Sequence, residues 1–208
     1  MNIDKQYLYN NNISPWANEK KFIVLHHTAV VWDWNIKILW WISPSKVSCH
    51  YLIRQNGDIL QFVDEDKIAR HCGKSERQGH TNMNAYSVGI EIESDGVTFT
   101  DEQKVSLILL VNDIKKRNGL TYERVIRHKD ISPWRKIDVW DNLWNKEFAT
   151  YESFQKSFDQ DSWVTAPFKS NLIKTYMQMW ENIKMISSSI KTKDRIDELN
   201  DYFESVGF

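Results

Sequence analysis

Up to about residue 145, apolar positions come in short clusters separated by polar turns. KFIVLHHTAV (21–30) is a brief β-branched run that ends in two histidines, and its length and content predict a buried strand. WDWNIKILWWI (32–42) sets Ile36, Leu39 and Trp40 at helical spacing, which predicts a helix stopped by Pro44. In VSCHYLIRQNGDILQFV (47–63) two apolar runs flank Asn56-Gly57. This predicts a hairpin closed by a type I′ turn, whose two central residues need positive φ. Residues 64–86 are polar, carry glycines, and read as one long loop, a kind of segment that is often functional in compact domains. SVGIEIE (87–93) alternates, with Val88, Ile90 and Ile92 facing one way and Glu91 and Glu93 the other. Thr100 with Gln103 forms a capping box and Gly119 suits a C′ position, so a helix is predicted over 101–117. ERVIRH (123–128) reads as a short strand, and residues 1–20 as a polar, Asn-rich lead broken at Ser14-Pro15. Strands alternating with helices predict an α/β fold with a central mixed β-sheet flanked by helices.

After residue 145 the pattern turns helical. Leu172, Ile173, Tyr176, Trp180 and Ile183 form one stripe, and Ile196, Leu199, Phe203 and Val206 another. The chain therefore divides into a domain over 1–145 and a C-terminal helical extension over 146–208, of open role. Trp163, Tyr176 and Trp180 suit a targeting module, an oligomerisation element or a cap on the domain, and plain packing on the domain is the simplest of these readings. Composition changes this picture little. With 208 residues, 41 % hydrophobic, 26 % charged and a net charge of -1, the chain is an ordinary globular sequence and not an electrostatic binder of nucleic acid. No run is long and apolar enough to span a membrane, and the N-terminus shows no signal peptide. Two cysteines, Cys49 and Cys72, make no disulfide framework and read as reduced thiols.

Several residues are candidates for chemistry. His26 and His27 end a strand and face opposite sides, so one of them can face a cleft in either register. His128 ends another strand, and Asp138 follows ten residues later. Two histidines and a carboxylate can hold zinc with an open fourth position, although this spacing is not diagnostic by itself. Lys136 falls on the same side of an extended segment as Asp138, where a solvated turn lysine is the plainer explanation. Glu91 or Glu93 would serve as a general base if either lines a cleft. Cys49-His50 and His71-Cys72 lack the CxxC-type spacing of a structural metal site.

Five segments in order carry a resemblance: FIVLHHTA (22–29), VSCHYLIRQNGDILQFV (47–63), Ala69-Arg70-His71-Cys72-Gly73, NAYSVGIEIE (84–93) and RHKDISPWRKID (127–138). Together the stretch 20–140 resembles the zinc amidases that cleave N-acetylmuramoyl-L-alanine bonds, whose fold is shared with peptidoglycan recognition proteins. The resemblance implies Zn²⁺ on His26, His128 and Asp138, with His27 turned away toward packing. It implies Glu91 rather than Glu93 as the acid–base group, Lys136 beside the developing oxyanion, and His71 and Asn84 as contacts to the substrate. The chain departs from the pattern at three places. Cys49 stands where some phage members carry a catalytic tyrosine, Arg70 where many have tryptophan, and Val139-Trp140 where Pro-Gly is common.

The implied activity is hydrolysis of the amide between the lactyl group of N-acetylmuramic acid and L-alanine of the stem peptide, with peptidoglycan or a muropeptide as the partner. A phage endolysin fits a protein that waits in the host cytoplasm and reaches the wall through a holin-made hole. A cytosolic recycling amidase fits the same facts, and a non-catalytic peptidoglycan-binding protein is the third alternative.

Overall fold

The computed structural model describes residues 3–8, 13–31, 47–139, 141–143, 150–156 and 158. The expected helix over 32–42 and almost all of the expected extension lie outside these residues. The strands are β1 (Ile3–Asp4), β2 (Ile13–Ala17), β3 (Phe22–His27), β4 (Tyr51–Ile53), β5 (Ile59–Gln61), β6 (Lys67–Ala69), β7 (Glu76–Arg77), β8 (His80–Thr81), β9 (Ser87–Ile92) and β10 (Val125–Arg127). The helices are α1 (Asp101–Asn118), α2 (His128–Ile131) and α3 (Tyr151–Lys156). A six-stranded mixed sheet has the order β1-β5-β4-β9-β3-β10, so the expected α/β fold with a central mixed sheet is present. Its middle is parallel: β3 lies between β9 and β10, and β4 runs parallel to β9 on the other side.

The two faces of the sheet bury different things. Ile23 and Leu25 of β3 join Val88, Ile90 and Ile92 of β9 and the inner face of α1, including Leu107, Leu110 and Ile114, in the main core. Phe22 and Val24 point the other way and pack with Ile126, Ile131, Cys72 and Met83. Because side chains alternate along a strand, His26 lies on this second face, which among the described residues is covered by short turns and loops rather than by a long helix. The sheet thus has a packed side and a side on which a cleft can open.

Several expectations from the sequence need correction. The polar lead contains β1 and β2, paired to β5 and β6. The supposed loop over 64–86 contains β6, the β7–β8 hairpin and a 3₁₀ turn at Met83–Tyr86. Its backbone groups find partners in two- and three-residue ladders too short to leave a hydrophobic period. The β4–β5 hairpin is present, but Gly57 has φ 84° while Asn56 is not among the positive-φ residues, so the turn is not type I′. Five residues, not two, connect the strands, and only one left-handed residue is needed to close them. The stretch from His128 opens as a helical turn, α2, before it becomes extended.

The long helix forms as expected. Thr100 accepts from the Gln103 backbone N–H, Gln103 returns a bond to Thr100, and Gly119 closes the helix at φ 63°. At the far end, Phe154 of α3 and Phe158 belong to the main core, and Tyr151 donates a hydrogen bond to the Val125 carbonyl. That core therefore continues past residue 145. No helix among the described residues is long and apolar enough to cross a membrane.

Candidate metal centre

The parallel register of three neighbouring strands brings the candidates together. His26 is the register partner of Glu91, and Leu25 that of Arg127, so His26, Glu91 and His128 all stand at the carboxyl ends of β3, β9 and β10. That end of a parallel sheet is where α/β folds commonly place ligands. A cavity of about 490 Å³ opens there, lined among others by His26, His71, Glu91, His128, Lys136 and Asp138.

Three donor atoms converge in it. His26 Nδ1 lies 2.9 Å from His128 Nδ1 and 3.4 Å from Asp138 Oδ2, and His128 Nδ1 lies 3.0 Å from Asp138 Oδ2. Zinc bound at about 2.0–2.1 Å to each ligand would set neighbouring donors roughly 3.3 Å apart in a tetrahedral site. The triangle has that size. Its chemistry fits as well. His128 Nε2 sits 3.0 Å from the Cys72 carbonyl oxygen, which can only accept, so Nε2 carries a proton and Nδ1 is the ring atom left to turn toward a metal. Burial alone would raise the Asp138 carboxyl, but hydrogen bonds from His128 and His26 outweigh it and hold the group ionised, well below the usual carboxylate range. Burial and the neighbouring His128 push His26 down to about 4, so it is neutral at physiological pH. His128 Nδ1 and Asp138 Oδ2, 3.0 Å apart, share a proton in the metal-free protein, and a metal ion bound to the trio would take that proton's place.

A second trio, His26, His71 and Cys72, also lies within coordinating distance. It is the poorer site. It shares His26 with the first, and the Cys72 thiol, fully buried and pushed up by that burial, would have to give up a proton that the already ionised Asp138 does not carry.

Comparison with known proteins decides the family. The family described as N-acetylmuramoyl-L-alanine amidase matches residues 16–140. The chain belongs to the N-acetylmuramoyl-L-alanine amidase family. It is similar to the 1,6-anhydro-N-acetylmuramyl-L-alanine amidase AmpD of Haemophilus influenzae, at 45 % identity over 99 residues, 47 % of this chain and 54 % of that protein. Escherichia coli AmiD, an N-acetylmuramoyl-L-alanine amidase, is 36 % identical over 135 residues, covering 57 % of this chain and 48 % of that one. The solved structure of AmiD from Escherichia coli in complex with anhydro-N-acetylmuramic acid-L-Ala-D-gamma-Glu-L-Lys superposes with a TM-score of 0.53 at 34 % identity, covering 60 % of this chain and 54 % of that chain. The matched part thus spans about half the length of these curated relatives.

Within this amidase-family site the remaining candidates separate. Glu91 projects from the same face as His26. Burial, with the Asp138 charge adding to it, raises its carboxyl to about 8, and Lys136 offsets part of the rise. Among the described residues its Oε2 has no hydrogen-bond partner. Glu93 lies past the end of β9, 3.6 Å from the Arg54 guanidinium and accepting from the Gln55 backbone, turned away from the cavity. Lys136 lines the cavity and its charge acts on His26, His27 and Glu91. His27, on the opposite side of β3, packs against Gly96, and its Nδ1 accepts from the Ala29 N–H at 3.1 Å, while its edge still reaches the cavity wall.

The two substrate candidates occupy structural positions. Asn84 Oδ1 accepts from the backbone N–H groups of His71 and Cys72, at 2.9 and 2.7 Å, and so shapes the loop that carries them. His71 forms the back wall of the cavity, with Nδ1 2.9 Å from His26 Nε2. Cys49 is buried near Glu91 and its thiol is pushed up by burial, with the Glu91 charge adding, so it stays protonated. Both cysteines are free. Arg135 donates to the Cys72 carbonyl at 2.6 Å, the same oxygen that lies 3.0 Å from His128 Nε2, and lines the cavity rim. Gly89 is the residue the sequence reading passed over. A glycine inside an apolar strand signals a close approach by another group, and a Cβ there would meet the His71 ring at 2.4 Å.

Proposed function

We propose that this chain is a zinc-dependent hydrolase of the amide between the lactyl group of N-acetylmuramic acid and L-alanine of the stem peptide. One observation carries the reading: the Nδ1 atoms of His26 and His128 and Oδ2 of Asp138 converge at hydrogen-bonding separations in a cavity that also holds Glu91 and Lys136. His26, His128 and Asp138 would hold the metal. When bound, zinc supplies Lewis acidity that polarises the scissile carbonyl and lowers the pKa of a water from 15.7 toward about 7.

The chain's own groups do the proton work. Glu91, with a carboxyl that titrates near neutrality, takes a proton from the attacking water as its oxygen bonds to the lactyl carbonyl carbon. It then delivers that proton to the alanine nitrogen as the C–N bond breaks, leaving a lactyl carboxylate and a free amine. Lys136 donates to the carbonyl oxygen as negative charge gathers on it. The orphaned Oε2 of Glu91 is available to an incoming water. The filled ligand trio favours hydrolysis over non-catalytic binding.

The biological setting we infer first is lysis, with the enzyme held inside the host cell until a holin opens the membrane. Muropeptide recycling is the second reading, supported by the similarity to AmpD. Purified sacculi and soluble anhydro-muropeptides, each digested with and without a chelator and analysed by mass spectrometry, test both. New N-terminal alanine without new reducing sugar ends, abolished by the chelator, is expected. New sugar ends, or activity indifferent to chelation, would refute the proposal. Turnover restricted to soluble fragments selects recycling.

A further inference from the structure

The triangle needs a lone pair on His26 Nδ1 as well as on His128, and what settles the proton of His26 lies behind it. His26 Nε2 is 2.9 Å from His71 Nδ1, the rings meeting edge-on at 90°. One of these two nitrogens must carry the hydrogen. The Ser87 hydroxyl decides which. Its Oγ is 2.6 Å from the Met83 carbonyl, an acceptor only, so its single proton is spent there. Towards His71 Nε2, at 3.4 Å, Ser87 Oγ can therefore only accept, and the Ser87 main chain also accepts from this ring. His71 then carries its proton on Nε2 and bares Nδ1. The Cys72 thiol, 3.2 Å from that Nδ1, is a second donor toward the same lone pair. His26 accordingly donates Nε2–H to His71 and bares Nδ1 at the point where His128 Nδ1 and Asp138 Oδ2 converge.

We propose that His71 is a positioning residue, locked in one tautomer by Ser87, which fixes His26 as a ligand through Nδ1. The inference rests on the metal-dependent reading above. The fold makes specific room for this contact. Gly89 lets the imidazole lie flat against β9, where any Cβ would meet the ring at 2.4 Å, and Asn84 pins the backbone of His71 and Cys72 from the other side. The route runs inward from His26 Nε2 as His26–His71–Ser87–Met83 carbonyl, with one proton assigned to each link. Metal ligands held by such partners lose about 10–100-fold in affinity when the partner is removed.

Two measurements test it without substrate. In the zinc-loaded full chain, long-range ¹H–¹⁵N NMR on ¹⁵N-histidine at pH 7.5 should show both His26 and His71 with their proton on Nε2. A His26 protonated on Nδ1 overturns the proposal. Second, zinc affinity by competition with a chromophoric chelator should fall about 10–100-fold in His71→Leu and recover in His71→Asn, whose Oδ1 stands where Nδ1 accepts. Unchanged affinity in His71→Leu, or no recovery in His71→Asn, overturns it. Should the leucine variant not fold, the tautomers of the unmodified chain decide alone. Cobalt loading supplies a further check: a thiolate-to-cobalt absorption band lost in Cys72→Ser would place the metal on His26, His71 and Cys72 and sink the assignment. Failure of amide hydrolysis would leave all these results standing, so the two readings fail separately.

Discussion

Glu91 and Glu93 differ by one turn of the pleat and share a face in the sequence pattern, yet only Glu91 meets the cavity, because β9 ends at Ile92 and Glu93 leaves toward Arg54. If Glu91 shuttles the proton, Glu91→Gln should retain the metal by elemental analysis while kcat falls by about 10²–10⁴-fold. Lys136→Met should lower kcat by about 10²–10³-fold with KM little changed, the mark of a contact made only as charge develops. The same groups set the pH dependence of stability in the metal-free protein. His26 and His50 are held down to about 4, and His71 well below its ordinary 6.5, all chiefly by burial. Below pH 6.5 the unfolded chain takes up protons there that the fold refuses, so these histidines make stability fall on acidification toward pH 4. Glu91, raised to about 8, acts in the opposite sense: its contribution is present below its ordinary 4.5 and is lost as pH rises to about 8. Between 4.5 and 6.5 three histidines outweigh one carboxyl, and above 6.5 the carboxyl acts alone. Urea midpoints of the chelated protein should therefore peak near pH 6.5, and Glu91→Gln should remove the decline, on the order of 1 kcal/mol, on the alkaline side.

Among the elements, β9 does the most. Its apolar residues face α1 while Ser87, Gly89 and Glu91 face the site, so one strand carries the hydroxyl beside His71, the room for the His71 ring and the proposed acid–base group. Gly89→Ala should force the imidazole away and cost about 1–3 kcal/mol of stability by overpacking, together with lowered zinc affinity, read by denaturation and chelator competition. Helix α1 contributes no residue to the cavity lining. Its role is to seal the opposite face, and its boundaries follow from local residues alone, Thr100 and Gln103 at one end and Gly119 at the other. The loop over 64–86 shows the converse. Here β6 pairs with the remote β2, the β7–β8 ladder has only two residues a side, and Asn84 clamps His71 and Cys72 across the loop, so no local hydrophobic period announced them.

For the molecule as a whole, the main core does not stop where glycines and turns run out. Phe154 and Phe158 lie in it, and Lys115 reaches the Phe158 carbonyl at 2.7 Å. A chain cut after residue 145 should lose these contacts and unfold at lower urea than one cut after residue 158. Phe154→Ala in the full chain should cost about 3–5 kcal/mol. Equal midpoints for the two truncations would show that α3 contributes nothing to the domain. If the shorter segment 1–158 still releases alanine from soluble fragments, residues 159–208 serve something other than the chemistry.

The sequence by itself determined the elements whose causes are local. It set the β3 and β9 strands, the capped helix and the order of five motifs that placed His26, His128, Asp138, Glu91 and Lys136 at one site. Tertiary structure alone decided what depends on distant partners. Strand register set His26 beside Glu91. The Cys72 carbonyl settled the proton of His128. The place of the His71 ring, 2.9 Å from His26 and along the cavity wall, depends on Gly89 and Asn84, 18 and 13 residues further along the chain. Hydrophobic period reports which face of an element is buried, whereas a hydrogen-bond partner is fixed only when two remote segments meet.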